Sequence, residues 1–339
     1  MMNRQILLRS RPEGTPSTDN FELVSVAVPP VTEGAVLRRT IYLSLDPYMR
    51  GRMSDAESYA ASVAIRQVMV GGTVSQVIES KNPAFAAGDF VVGNDGWQDF
   101  GLSSGRELRK LDPALAPIST AIGTLGMPGM TAYVGLLDIG QPKPGETVAV
   151  SAASGAVGSV VGQIAKIKGC RAVGIAGSPD KCQYVVDELG FDACVNYKAE
   201  SFREDLAGAC PSGIDVYFEN VGGAVFAAVL RLLNVNARIP LCGLIADYNV
   251  TKMPSSPNLR PLLVKRALMK GFIVFDHNDR APAFLKDCSQ WVREGRIKYR
   301  EDIVDGLEQA PSALLRLFDG RNFGKLIVRV SHDPTRPRT

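Results

Sequence analysis

The sequence predicts an α/β protein of two domains, a small antiparallel β domain followed by a doubly wound parallel sheet. Three observations predict it. The 339 residues exceed one ordinary core of roughly 100 to 200 residues and suit two. The first third breaks into short β runs, whereas from Thr131 onward apolar strand runs alternate with helical patterns, the rhythm of right-handed βαβ crossovers. Finally, a glycine-containing turn, SAASGAVG at 151–158, stands where the opening strand of that second region passes into a helix.

In order, the first region offers RQILLRS, FELVSVAV, AVLRRTIYLSL, GGTVSQVIES, GDFVVGN and ELRKL, short strands at the spacing of a barrel or sandwich. The second offers TVAVS, RAVGIAG, ACVNY, IDVYFENV, RIPLCG and GFIVF, about six strands separated by helices. In the helix after TVAVS, Val157, Val160, Val161, Ile164 and Ile167 recur at three and four positions, so one face packs on the sheet. The last forty residues hold one helical pattern and a final strand, NFGKLIVRV. That strand has no place in the alternation and is expected to return to the first domain. PSSPNLRP, 254–261, is the most Pro/Ser-rich loop, with Asn258 placed to begin the next helix.

Composition narrows the function. Apolar residues make up 45% and charged residues 22%, with 33 glycines and 21 prolines, as in a soluble mixed α/β protein. A net charge of +3 with no Lys/Arg block argues against nucleic acid as a partner. MMNRQILLRSRPEG lacks an apolar leader core, and no run approaches the roughly 20 apolar residues of a membrane span, so a cytoplasmic, membrane-free protein is expected. The six cysteines, Cys170, Cys182, Cys194, Cys210, Cys242 and Cys288, are too scattered for a disulfide framework and read as reduced thiols. With only two histidines, His277 and His332, and no C-x-x-C, a zinc site is unsupported; His277, just after GFIVF, reads as a loop residue.

The turn itself reads A-x-x-G-x-x-G, from Ala152 through Gly155 to Gly158. Gly155 lets backbone N–H groups approach a pyrophosphate, Gly158 lets the helix pack close to the strand, and the helix N-terminus supplies unpaired donors and a positive dipole. Glycines also serve empty turns, but between a strand and an amphipathic helix the pattern points to a dinucleotide. An NAD site wants Asp or Glu at the end of the second strand, about 20 residues on. Here that strand ends in Gly177-Ser178, with Ser178 a helix N-cap and Asp180 a first-turn acid. Lys181 follows, and Tyr197-Lys198 ends the third strand. A missing acid beside a cation favours NADP(H), although Lys181 is equally readable as a solvated helix lysine.

Ligands of open parallel sheets lie beyond the carboxyl ends of the strands. There the fourth and fifth strands place Asn220, Cys242, Gly243 and Tyr248; a phenol can donate to a developing oxyanion, whereas an Asx turn and a rim tyrosine are the alternative readings. In the first domain LDPYMR turns at Asp46-Pro47, leaving Tyr48 to point into a cleft. GMPGMTAY, 126–133, marks the domain junction.

LSLDPYMRGRM, GWQDF, GMPGMTAYVGL, SAASGAVGSVVGQIAKIKGC, YFENVGG, CGLIADYN, GFIVF and NFGKLIVRV together resemble the zinc-independent medium-chain dehydrogenase/reductases, and within them the leukotriene hydroxydehydrogenase/prostaglandin reductase group with its curcumin-reductase-like relatives. The resemblance spans nearly the whole chain. It implies a GroES-like β-barrel catalytic domain built from 1–125 and 300–339 around a Rossmann nucleotide-binding domain, 126–299. It also implies NADPH-dependent reduction of the double bond of α,β-unsaturated ketones and aldehydes, and a homodimer with the Phe272–Phe275 run as the pairing edge. By the same resemblance Gly155, Ala156, Val157 and Gly158 cradle the pyrophosphate, while Ser178, Lys181 and Tyr197 serve the 2′-phosphate. Met127, Thr131, Cys242, Phe272, Ile273 and Val274 lie on the nicotinamide side, Gly243 is a further cofactor-binding residue, Asn220 and Asn322 make the remaining cofactor contacts, and Tyr48 and Tyr248 flank the substrate carbonyl. The loops 53–69 and 249–261 are expected to line the pocket. Two alternatives stay open: a quinone reductase on the same fold, and a non-catalytic NADPH-binding protein.

Overall fold

The computed structural model describes residues 1–252 and 257–336. The chain divides into two compact units, one of Met1–Gly123, Glu301–Asn322 and Leu326–Thr339, the other of Thr124–Arg300 and Phe323–Lys325.

The first unit opens with an antiparallel pair, β1 (Met2–Leu8) and β2 (Phe21–Ala27). There follow β3 (Val36–Ser44), the short helix α1 (Met49–Arg52), β4 (Thr73–Ser80), β5 (Phe90–Gly93), β6 (Phe100–Ser103) and β7 (Arg109–Leu111). β3 organises the sheet. It pairs antiparallel with β4 along its length and with β6 through Val36–Arg39, and every residue of it except Arg39 is buried. A strand covered on both faces reads as a near-continuous apolar run rather than an alternation. Arg38 is tolerated inside because Asp95 takes its Nε at 3.1 Å, the Val36 carbonyl and Ser103 Oγ take Nη1 at 2.9 and 3.0 Å, and a buried charge needs such satisfaction. Trp97 stacks on Phe21 at 5.3 Å, closing a core with Leu43, Leu45, Met49 and Met53.

The second unit alternates as expected. It runs α2 (Met127–Val134), β8 (Thr147–Ser151), α3 (Gly158–Ile167), β9 (Arg171–Ala176), α4 (Pro179–Asp187), β10 (Ala193–Asn196), α5 (Phe202–Ala209), β11 (Ile214–Phe218), α6 (Gly223–Val229), β12 (Leu233–Leu241), α7 (Arg260–Lys265), β13 (Leu268–Gly271) and α8 (Ala281–Arg293). The strands pair in parallel in the order β10-β9-β8-β11-β12-β13. The order reverses between β8 and β11, the switch point at which such sheets open a ligand crevice. On α3 the expected face is buried at Val160, Val161 and Ile164.

The sixth strand falls earlier than expected. It is Leu268–Gly271, not GFIVF. Phe272 leaves the edge to meet Phe218 edge-on at 6.2 Å, filling the space that a side chain on Gly135 would need: a Cβ built there lies 2.6 Å from the Phe272 ring. Val274–Arg280 then winds into a short helical turn. Asn258 does not itself start α7, but its Oδ1 accepts from Arg260 N at 3.0 Å at the start of that helix. Residues 254–256 of the PSSPNLRP loop lie outside the described residues.

The chain ends with β14 (Glu301–Asp305), α9 (Ala310–Phe318) and β15 (Lys325–Arg329). β15 returns to pair antiparallel with β3, Ile327 opposite Ser44, as its lack of a place in the alternation implied. The sheet becomes β14-β15-β3-β4-β5-β7 with β6 also on β3. β14 and β6 were not among the expected strands; both are short and mixed in polarity, and their pairing comes from distant chain. A GroES-like β unit plus a Rossmann α/β unit is therefore the architecture.

Candidate active site

The site-forming turns of the second unit all follow the carboxyl ends of its strands. After β8 the chain turns through Ala152, whose φ of 53° is left-handed, and the Gly155 N–H closes on the Ala152 carbonyl at 2.9 Å. A Cβ built on Gly158 would lie 2.4 Å from that same carbonyl oxygen, and one on Gly155 would lie 3.1 Å from it. Glycine at 158 is thus imposed by backbone packing. The helix that starts there has Val157 as its N-cap, with no side-chain bond to its first N–H groups. Ser159 N and Val160 N donate to the Gly155 and Val157 carbonyls at 3.1 and 3.0 Å, so the donors this turn can offer an anion are the N–H groups of Val157 and Gly158.

After β9 the rim is assembled from two strands. Ser178 caps α4, its Oγ accepting from Lys181 N at 3.4 Å, with Pro179 at the first helical position. Tyr197, at the end of β10, donates its N–H to the Ala176 carbonyl at 3.0 Å, and its ring lies over Gly177, 3.0 Å from a Cβ built there. Gly177, Ser178, Lys181 and Tyr197 therefore gather into one polar rim with no carboxylate from the strand end. The residues present fit a dinucleotide such as NADPH: a glycine turn closed by backbone, and a rim that carries Lys181 and no strand-end carboxylate.

Beyond the switch point, Asn220 donates its side-chain amide to the Ser151 carbonyl at 2.9 Å and its backbone N–H to Ser151 Oγ at 2.9 Å. Among the described residues no donor reaches Asn220 Oδ1, which leaves that atom for a ligand. Cys242 N and Gly243 N donate to the Glu219 carbonyl at 2.9 and 3.2 Å. Tyr248 follows the short helical turn Ile245–Asp247 and curls back so that its hydroxyl lies 3.2 Å from a Cβ built on Gly243. Asn220, Gly243 and Tyr248 are brought together. Burial and the nearby Glu219 push the Cys242 thiol up to about 12, so it is a neutral packing group. Thr131 spends its hydroxyl on the Met127 carbonyl one turn back at 2.8 Å, on the α2 face whose neighbours include the turn Val274–Arg280. Phe272 is half-buried with Ile273, and Val274 is buried.

In the first unit Tyr48 precedes α1, half-buried against the Leu43–Met49 core. Burial above all, with the Asp46 carboxylate adding to it, pushes its phenol well above the ordinary value near 10. It is a neutral donor across the working pH range. Asn322 ends that unit's second segment, its N–H reaching the Arg316 carbonyl at 3.4 Å. Among the described residues no three His, Cys, Asp or Glu side chains cluster as metal ligands.

Sequence reading passed over Glu219, Ser151 and Tyr217. The Glu219 side chain is fully buried, and burial raises its carboxyl despite four donors. A charged residue ending an apolar strand, IDVYFE, was the available signal.

A GroES-like β unit and a Rossmann unit whose carboxyl edge carries a glycine turn define the class, a medium-chain dehydrogenase/reductase. Comparison with known proteins agrees. Residues 4–111 match the family described as N-terminal domain of oxidoreductase, and residues 156–290 the one described as Zinc-binding dehydrogenase. The chain is 54% identical over 337 residues to the NADPH-dependent curcumin reductase of Escherichia coli (strain K12), covering 98% of each. It is 43% identical over 340 residues to the 2-alkenal reductase (NADP(+)-dependent) of Nicotiana tabacum, covering 98% of each. The crystal structure of CurA in complex with NADPH from Vibrio vulnificus superposes with a TM-score of 0.94 at 53% identity, over 97% of this chain and 100% of that one. The chain belongs to the family that includes the NADPH-dependent curcumin reductase, the NADP(+)-dependent 2-alkenal reductase and prostaglandin reductase 1.

Proposed function

We propose that the protein reduces the carbon–carbon double bond of α,β-unsaturated ketones and aldehydes with NADPH, and that residues 1–125 and 300–339 form the catalytic domain and residues 126–299 the nucleotide domain. The observation that carries this reading is the Tyr248 phenol turned back over Gly243, at the same sheet edge as the glycine turn and the Lys181 rim. NADPH, when bound, supplies the hydride. As hydride adds to the β-carbon, the alkene π pair forms a new double bond between the α-carbon and the carbonyl carbon, and the carbonyl π pair moves onto oxygen to give an enolate. Tyr248 donates a hydrogen bond to that oxygen, Tyr48 carries the second proposed phenol, and solvent protonates the α-carbon. A phenol held above its ordinary pKa stays protonated, so Tyr48 suits donation and not general-base work.

The contacts assigned to Gly155, Ala156, Val157, Gly158, Ser178, Lys181, Tyr197, Asn220, Cys242, Gly243, Met127, Thr131, Phe272, Ile273, Val274 and Asn322 are part of the same proposal. Tyr248→Phe is expected to slow hydride transfer to an enone by about 100- to 1000-fold, as for loss of one oxyanion donor, with NADPH affinity little changed. Single-turnover absorbance at the NADPH band checks it, and an unaltered rate removes Tyr248 from the chemistry. A quinone assayed beside the enone tests the substrate class, and no NADPH oxidation with either leaves a binding protein.

We also propose a cytoplasmic homodimer. All six cysteines are free, which fits a reducing compartment. The pairing edge moves to β13, the last strand of its sheet, whose four residues are all exposed. Leu268 there and Leu263 and Val264 on α7 are 54%, 78% and 54% exposed, an apolar edge that natural sheets cover. Light scattering after gel filtration is expected to give twice the 36.4 kDa chain mass; a monomer mass rejects the dimer.

A further inference from the structure

Glu219 joins both turns beyond the switch point. Its carbonyl holds Cys242 and Gly243, while its side chain holds the turn after β11. Oε1 accepts from Val221 N at 2.6 Å, Gly222 N at 3.1 Å, Ser151 Oγ at 3.0 Å and Tyr217 Oη at 3.1 Å. Oε2 has no partner among the described residues. Ser151 in turn holds Asn220 by two bonds, so the carboxyl, the hydroxyl and the Asn220 turn form one buried lattice. Gly222 sits at φ 82°, a conformation with little intrinsic preference for this course of the chain, and the carboxyl is what fixes its N–H. Such networks are rigid when satisfied and fail as a unit when one member goes.

We propose that Glu219 is a positioning residue of the nucleotide site: its carboxyl sets the Asn220–Gly223 turn so that Asn220 Oδ1 faces bound NADPH. This rests on the reading of Asn220 as a cofactor contact. Removing the side chain leaves two backbone N–H groups and a phenol without their acceptor, while the carbonyl bonds to Cys242 and Gly243 survive. The Asn220 half of the crevice loosens first; the Tyr248 half, though tied to it by Ile245 N on the Asn220 carbonyl at 3.2 Å and Ala246 N on the Val221 carbonyl at 2.9 Å, keeps its two bonds to the Glu219 carbonyl.

The test is fluorescence titration of NADPH into the full-length protein, with steady-state kinetics on an enone. Glu219→Ala is expected to raise the Kd for NADPH by about tenfold or more, the effect of orphaning buried donors, while kcat at saturating NADPH stays within about threefold. Glu219→Gln keeps an oxygen at the Oε1 position for all four donors and is expected to restore Kd to within about threefold of wild type. In the double variant E219A/N220A the Kd is expected to match that of N220A alone, because both changes act on one contact. A wild-type Kd for E219A, or multiplying effects in the double variant, overturns the proposal. If E219A does not fold, Ser151→Ala decides, with an unchanged Kd as the overturning result. A wild-type Kd for N220A overturns the reading of Asn220 and this proposal together, whereas E219A at wild-type Kd with N220A weakened overturns the proposal alone.

Discussion

The two halves of the nucleotide sheet's carboxyl edge are built by different means. After β8 and β9 the turns are backbone devices: a left-handed Ala152, a glycine at 158 pressed on a carbonyl, a serine cap and a proline at the first helical position. After β11 the turn hangs on the buried Glu219 carboxyl and its partners, and after β12 on the main-chain carbonyl of the same residue. Apart from Tyr197 lying over Gly177, the first half is made of neighbours in sequence; the second ties residue 219 to residue 151. Local devices tolerate no extra atom, and networks tolerate no missing one.

Adding one methyl to each half is the most forceful way to break that contrast. Gly158→Ala drives a Cβ to 2.4 Å from the Ala152 carbonyl, which belongs to backbone and cannot step aside. Overpacking of that kind costs about 1–3 kcal/mol or more and displaces the first turn of α3, so NADPH affinity is expected to fall by about two orders of magnitude. Gly243→Ala meets the far end of the Tyr248 side chain at 3.2 Å, and the Asn220 carbonyl oxygen at an ordinary contact distance of 3.5 Å. Its NADPH affinity is expected to fall by no more than about threefold, with kcat reduced further as the hydroxyl is pushed off its place. Calorimetric titration and enone turnover on both variants check it; equal losses of affinity would erase the distinction.

A smaller effect is expected at the rim. Lys181 shares α4's first turn with the Ser178 cap, and a charge-assisted contact to a phosphate contributes about 1.5–3 kcal/mol. Lys181→Ala is therefore expected to lower the ratio of kcat/KM for NADPH over NADH by about 10- to 100-fold, mostly through NADPH. An unchanged ratio moves the 2′-phosphate site elsewhere.

The same contrast explains what the sequence made legible. The glycine turn, the Ser178 cap, the buried face of α3 and the return of the last strand to β3 follow from local pattern or from the lack of any other place for a residue run. GFIVF misled because its apolar run suggested a strand, whereas Phe272 is claimed by the space beside Gly135 and Phe218, and the actual edge is the more polar LMKG. FENVGG was conspicuous for its asparagine and glycines; that Glu219 would find Ser151 required the pairing of β8 with β11. The placement of Tyr248 over Gly243 depended likewise on a loop turning back, which residue spacing does not encode.

The smallest expected effect separates strain from binding within the first half. A non-glycine residue in the left-handed region costs about 1–2 kcal/mol, and Ala152 accepts that cost at φ 53° with its methyl exposed. Ala152→Gly removes the strain but adds about 0.4–1 kcal/mol of chain entropy to the unfolded state. The net change in urea-unfolding stability is expected to lie between zero and about 1.6 kcal/mol, on the stabilising side. What the variant decides is the use of the strain. If Gly158 alone closes the turn against the Ala152 carbonyl, the cradle keeps its shape and the NADPH Kd stays within about twofold. A clearly weakened Kd beside unchanged or higher stability means that the alanine methyl holds the turn in its anion-binding form, and that the backbone half of the edge depends on a side chain after all.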